Sequence, residues 1–155
     1  MMPVKIVIVG SRVHEVGYRL LLSSIAFRLG IQKFEAHNIH IEGKQAILVL
    51  AEAPEEKLRK LIDSVKAMKP ESAEVDRMDV ESYPSDEIQE ARDYVMLLQL
   101  EQLAKGVSYI ARMIETQEKT LKVLNGMLSM LREISGKQDR ELEMLKVISG
   151  KQGGG

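Results

Sequence analysis

The chain has 155 residues, enough for one ordinary domain with an appendage or for two very small ones. Basic and acidic residues balance on both sides of Pro84, 12 against 12 before it and 10 against 11 after, so neither half carries the charge excess of a nucleic-acid-binding surface. Cysteine is absent, which excludes a disulfide framework, a thiolate metal site and a cysteine nucleophile. No apolar run approaches a membrane span, and residues 1–10 lack the basic start and cleavage site of a signal segment, so the chain reads as soluble and cytoplasmic.

In chain order, Val4-Lys5-Ile6-Val7-Ile8-Val9 is a β-branched run that must end at Gly10, and it predicts the first strand. Tyr18 to Leu29 follows as a helix burying Leu21, Leu22, Ile25 and Leu29, with Gly30 as its C-terminal stop. Phe34 to Ile41 alternates as a second strand, Glu42-Gly43-Lys44 makes a turn, and Ala46 to Leu50 reads as a buried third strand, so the pair should form a hairpin. Pro54 starts a second helix. Glu55 and Glu56 lie in its first turn, Lys66 and Lys69 near its end, and Leu58, Leu61, Ile62, Val65 and Met68 form its apolar stripe. Pro70 stops it, and Ala73 to Ser82 supplies a fourth strand through Val75, Met78 and Val80. This βαββαβ order, with each helix covering one face of an antiparallel sheet, predicts a ferredoxin-like α+β sandwich over residues 1–83.

Beyond Pro84 the pattern changes. Ser85, Asp86 and Glu87 look like a helix N-terminus, and a heptad register follows. Its a positions hold Leu100, Val107, Ile114, Leu121, Leu128 and Leu142, and its d positions Met96, Leu103, Ile110, Leu124, Leu131 and Leu145, with Gln117 the one polar d residue before Ser135. Apolar a and d residues sustained this long imply helices that supercoil around partners. Met113, Met127 and Ile134 at g, with Ala104 and Ala111 at e, widen the stripe beyond a two-stranded seam. Residues 84–152 therefore predict a coiled-coil oligomerisation region, with homo-oligomer contacts through residues 96–145. The alternative is an intramolecular hairpin folding back at Gly106, Gly126 or Gly136. Leu131 to Gln138 recurs two heptads later as Leu145 to Gln152, a duplication that keeps the register. Gly153-Gly154-Gly155 reads as a flexible tail.

Between the first strand and first helix lies the chemistry. A short glycine-containing turn ending on a helix start points backbone N–H groups outward, and Arg19 adds a planar fork of donors, a combination that suits a phosphate or carboxylate. The stretch Ser11-Arg12-Val13-His14-Glu15-Val16-Gly17-Tyr18-Arg19 resembles the acylphosphatase signature G-R-V-Q-G-V-G-[FY]-R. Arg12, Val13, Val16, Gly17 and Arg19 match it outright, and Tyr18 is an allowed alternative.

The resemblance covers about residues 3–83 and implies hydrolysis of the carboxyl–phosphate bond of acyl phosphates without metal or cofactor. It implies an anion-binding cradle of Val13, His14, Glu15, Val16, Gly17, Tyr18 and Arg19, with Arg19 as the phosphate clamp. The family's water-orienting asparagine falls on His37 by an ungapped count, with Asn38 one residue later; a single insertion between Gly30 and Phe34 brings Asn38 into place. His14 and Glu15 stand where the signature has glutamine and glycine. A carboxylate about 5 Å from a bound phosphate costs about 3 kcal/mol at an effective dielectric of 20, and less than about 1 kcal/mol when turned into water.

His14, His37 and His40 with Glu15 follow no known metal-ligand spacing. There is no nucleophile elbow, no Walker loop and no run of aromatic residues for stacking on single-stranded nucleic acid. Two functions are left. One is an acyl phosphate hydrolase using Arg19 and Asn38; the other is a catalytically weak or inactive module of the same fold whose coiled coil mediates homo-oligomeric assembly or partner binding.

Overall fold

A computed structural model describes residues 1–84 and 87–152. The elements are β1 (Met2–Gly10), α1 (Tyr18–Arg28), β2 (Lys33–Ile41), β3 (Lys44–Ala53), α2 (Glu55–Ala67), β4 (Arg77–Ser82) and α3 (Ala91–Gln152). The strands form one antiparallel sheet in the order β2-β3-β1-β4, the ferredoxin-like arrangement. Two compact units divide the chain, one running from Met1 to Leu103 and the other beginning at Ala104.

Alternation along the strands decides where the helices lie. Ile6 and Ile8 of β1, Phe34 and Ala36 of β2, and Ile47, Val49 and Ala51 of β3 are buried in one core with Leu22 and Ile25 of α1 and Leu58, Leu61 and Val65 of α2. Both helices thus share a single face of the sheet, rather than taking one face each. The second face carries a smaller cluster of Val7, Val9 and Ala46, flanked by Ile39, Ile41 and Leu48. Full burial of a Leu, Ile or Phe side chain contributes roughly 1.5–3 kcal/mol, so the helix-covered face dominates.

The connections follow local chemistry. At the end of α1 the Gly30 N–H donates to the Phe27 carbonyl and the Ile31 N–H to the Ala26 carbonyl, each at 3.0 Å, which closes the helix and buries Ile31. Glu42 and Gly43, both at positive φ (52° and 78°), form the two-residue hairpin turn between the paired Ile41 and Lys44.

The fourth strand is shorter than expected because the chain before it follows β1 irregularly. Glu74 bridges to Arg12, and the Asp76 N–H donates to the Val9 carbonyl at 2.8 Å. A Cβ on Gly10 would stand 1.9 Å from the Glu74 carbonyl oxygen, so the crossing requires a residue with no side chain there.

The helix start expected at Ser85 and Asp86 lies outside the described residues. Glu87 to Glu90 are not helical. Gln89 accepts from the Phe34 N–H at 3.0 Å, Glu90 bridges to Lys33, and the Ala91 N–H donates to the Gln32 carbonyl at 2.6 Å, so this backbone is committed to the start of β2 and α3 begins only at Ala91.

The first turns of α3 belong to the sandwich unit: Tyr94 and Leu98 are buried in its core. At about 100° per residue Tyr94, Leu98 and Glu101 share one face of the helix, while Met96, Leu100 and Leu103 share the opposite one and are 53–66% exposed. The second unit is helical through its described residues. Helix α3 passes through Gly106, Gly126 and Gly136 without a break, so the intramolecular hairpin is not adopted. Among the described residues no helix is long and apolar enough to cross a membrane.

Candidate functional site

The loop from Ser11 to Gly17 joins the end of β1 to α1. Val13 is buried in the core and anchors the loop, while Glu15 is exposed with φ at 56°, in the left-handed region, and Gly17 follows at 83°. Two positive φ values within three residues turn the backbone sharply before α1 begins at Tyr18. Burial pushes the Tyr18 hydroxyl above its ordinary pKa, and the ring wedges the start of α1 into the core.

Gln45, at the start of β3 beside Gly10, reaches this loop. Its Oε1 accepts from the N–H groups of both Val13 and His14 at 3.0 Å. The His14 Nε2 lies 2.8 Å from the Ala46 carbonyl, which fixes that nitrogen as the donor. Gly17 is the N-cap of α1 and supplies no side-chain cap to it. Of the expected cradle, then, the first two amides hold a neutral side-chain oxygen, and the last residues turn into the start of α1.

Arg19 is the second residue of α1 and its side chain is only 16% exposed. It is paired within the same compact unit. Nη1 donates to the Glu101 Oε2 at 3.0 Å and Nη2 to Oε1 at 2.8 Å, a two-bond fork. The hydrogen-bonded carboxylate raises the arginine pKa against the opposing effect of burial.

Strand pairing puts Asn38 and His37 on opposite faces of β2. Asn38 lies opposite Ile47, whose side chain is in the helix-covered core, and His37 lies opposite Leu48, on the other face. Asn38 therefore shares the face of α1 with Arg19, and His40, opposite Gln45, shares it as well. His37 is displaced to Glu35, 3.4 Å from its Oε2. The four-residue link from Leu29 to Gln32 sets this register.

The three histidines do not gather. His14 and His40 meet edge to face with ring centres 5.0 Å apart, while His37 packs toward Tyr94. Among the described residues no group of three or more His, Asp or Glu could hold a metal ion. Glu101 and Gln45, the two residues that fill the donors of the loop and of Arg19, carry no signal in the sequence that sets them apart: one reads as a polar helix position, the other as the residue after a turn.

A βαββαβ sandwich with a glycine-containing β1–α1 loop and an arginine in the first turn of α1 belongs among ferredoxin-like α+β domains. Comparison with known proteins narrows the class. The acylphosphatase family model matches residues 4–95, more than half of the chain, and the chain belongs to the acylphosphatase family. Solved structures similar to it include an acylphosphatase from Bacillus subtilis, 22% identical over 58% of this chain and 94% of that one, with a TM-score of 0.46. An acylphosphatase from Coxiella burnetii is 16% identical over 57% of this chain and 87% of that one, with a TM-score of 0.43. Full-length HypF in its phosphate- and nucleotide-bound form is 18% identical over 57% of this chain but only 11% of its own length, with a TM-score of 0.44. No curated protein matches the sequence.

Proposed function

We propose that the sandwich hydrolyses acyl phosphates. The observation that carries this reading is the sharp turn at Glu15 and Gly17 leading directly into Arg19 in the first turn of α1, a helix packed on the sheet face that also bears Asn38. Amides at a helix start and a guanidinium together neutralise a phosphoryl group. Asn38 orients a water for attack on phosphorus. The new P–O bond forms as the bond to the acyl oxygen breaks, the electron pair leaves on a carboxylate, and the water's proton passes to a phosphoryl oxygen or to solvent. Because carboxylic acids ionise near pH 4, the leaving group needs no proton donor, so an arginine, amides and a positioned water suffice. The test is hydrolysis of benzoyl phosphate by the purified protein beside Asn38→Ala and His37→Ala. This reading requires loss of turnover in the first variant only; equal loss in both, or loss in His37→Ala alone, overturns the assignment of the water to Asn38.

A second observation supports assembly. The apolar a and d residues from Met96 to Leu145 are 47–66% exposed in the single chain, and a stripe of that length is unfavourable in water. Residues 96–145 join copies of the chain as a coiled coil. Replacing Ile114 and Leu121 by lysine should reduce the mass in solution to that of one chain; an unchanged mass sinks this part of the reading. Activity in the first test, set beside assembly in the second, separates an oligomeric hydrolase from an inactive assembly module.

A further inference from the structure

Glu101 sits on Arg19 in a manner that a loose surface ion pair does not. Both guanidinium Nη groups are used, at 3.0 and 2.8 Å, and the carboxylate comes from 82 residues away in the sequence. Its position is set by its helix: Tyr94 and Leu98, on the same face of α3, are buried, and the Tyr94 hydroxyl donates to the Ala36 carbonyl at 2.6 Å. The arginine side chain is 16% exposed and the glutamate side chain 42%, so the pair is partly withdrawn from water. Two carboxylate oxygens on the Nη edge of a guanidinium match the pattern that two phosphoryl oxygens would make there. Both anions cannot occupy that edge, because like charges at contact distance repel strongly in a partly desolvated site.

We propose that Glu101 is an internal competitor for the anion site, so that the first turns of α3 hold the site in an occupied, inhibited state until the carboxylate leaves Arg19. This rests on Arg19 being the phosphate clamp of the proposed function. Gln45 acts in the same sense at the other end of the loop, its Oε1 standing on the Val13 and His14 amides. The a and d residues of the same turns, Met96, Leu100 and Leu103, lie on the opposite face of the helix, so self-association through them leaves the Glu101 contact in place.

The test is calorimetric titration of inorganic phosphate into the full-length protein and its Glu101→Gln, Glu101→Ala, Arg19→Ala and Arg19→Ala/Glu101→Gln variants. Removing the competing charge should tighten phosphate binding about tenfold in both Glu101 variants, the low end of what a charge-assisted hydrogen bond contributes. The double variant should lose that gain. If the Glu101 variants bind phosphate no better than the parent, or more weakly, while Arg19→Ala weakens it, Arg19 is the anion clamp and Glu101 merely orients it; the competitor proposal then fails and the site survives. If the double variant binds as tightly as Glu101→Gln, the phosphate is not on Arg19 and the anion-site reading itself fails.

Discussion

The hydroxyl of Tyr94, in the first turn of α3, donates to the carbonyl of Ala36 in edge strand β2 at 2.6 Å, and its ring meets Phe34 edge to face at 5.8 Å. This contact makes the start of the long helix part of the sandwich. Tyr94→Phe keeps the ring and leaves a buried acceptor unpaired, so it should lower stability by about 1–2 kcal/mol, while Tyr94→Ala should cost about 3–5 kcal/mol. Denaturant unfolding measures both, and equal losses would show that the ring contributes nothing.

Tyr18 and Tyr94 are both buried, and burial raises each pKa above the usual 10.0. The unfolded chain releases these protons first, so it binds fewer protons than the folded chain once pH passes about 10, and stability falls as pH rises further. The stabilisation is complete below the unfolded value and is lost on the way to the folded one. Melting temperatures measured from about pH 9 to about pH 11.5 should decline more steeply for the parent than for Tyr94→Phe. Parallel declines would mean that the phenol ionises alike in both states.

Gly10 has no room for a side chain, since a Cβ would meet the Glu74 carbonyl oxygen at 1.9 Å. Gly10→Ala should force the crossing chain away and cost about 2–3 kcal/mol. A loss below about 0.5 kcal/mol in denaturant unfolding would show that residues 73–76 shift freely.

Glu15 adopts the left-handed conformation with φ at 56°, where the family signature has glycine. Glu15→Gly should stabilise the fold by about 0.5–1 kcal/mol, the left-handed penalty less the extra chain entropy of glycine. It should also tighten phosphate binding by removing a negative charge from the loop, whereas Glu15→Gln should reproduce only the charge effect. If Glu15→Gln leaves phosphate affinity unchanged, the carboxylate exerts no field on the site.

Much of this molecule was legible from local pattern. The Val4–Val9 run, the stripe of Leu58, Leu61 and Val65, the Glu42-Gly43 turn and the Gly30 stop all act through period or backbone chemistry, which a single sequence carries. Features set by tertiary contact were not. The late start of β4 depends on Glu74 lying over Gly10, and the start of α3 at Ala91 depends on Glu90 bridging to Lys33. Counting alone could not choose between His37 and Asn38, because a one-residue change in the link after Gly30 exchanges their faces. The Arg19–Glu101 fork was invisible for a similar reason. Glu101 falls outside the a and d positions and reads as solvated until the helix is placed against the sheet.

Arg19 and the loop before it are proposed to turn over an acyl phosphate. The most direct test is kcat/KM for benzoyl phosphate, measured on the parent, Arg19→Ala and Glu101→Gln. The parent should hydrolyse it, Arg19→Ala should lose about 100- to 1,000-fold, and Glu101→Gln should turn over faster at subsaturating substrate. Hydrolysis no faster than the uncatalysed rate in both the parent and Glu101→Gln, in folded protein, would contradict that proposal.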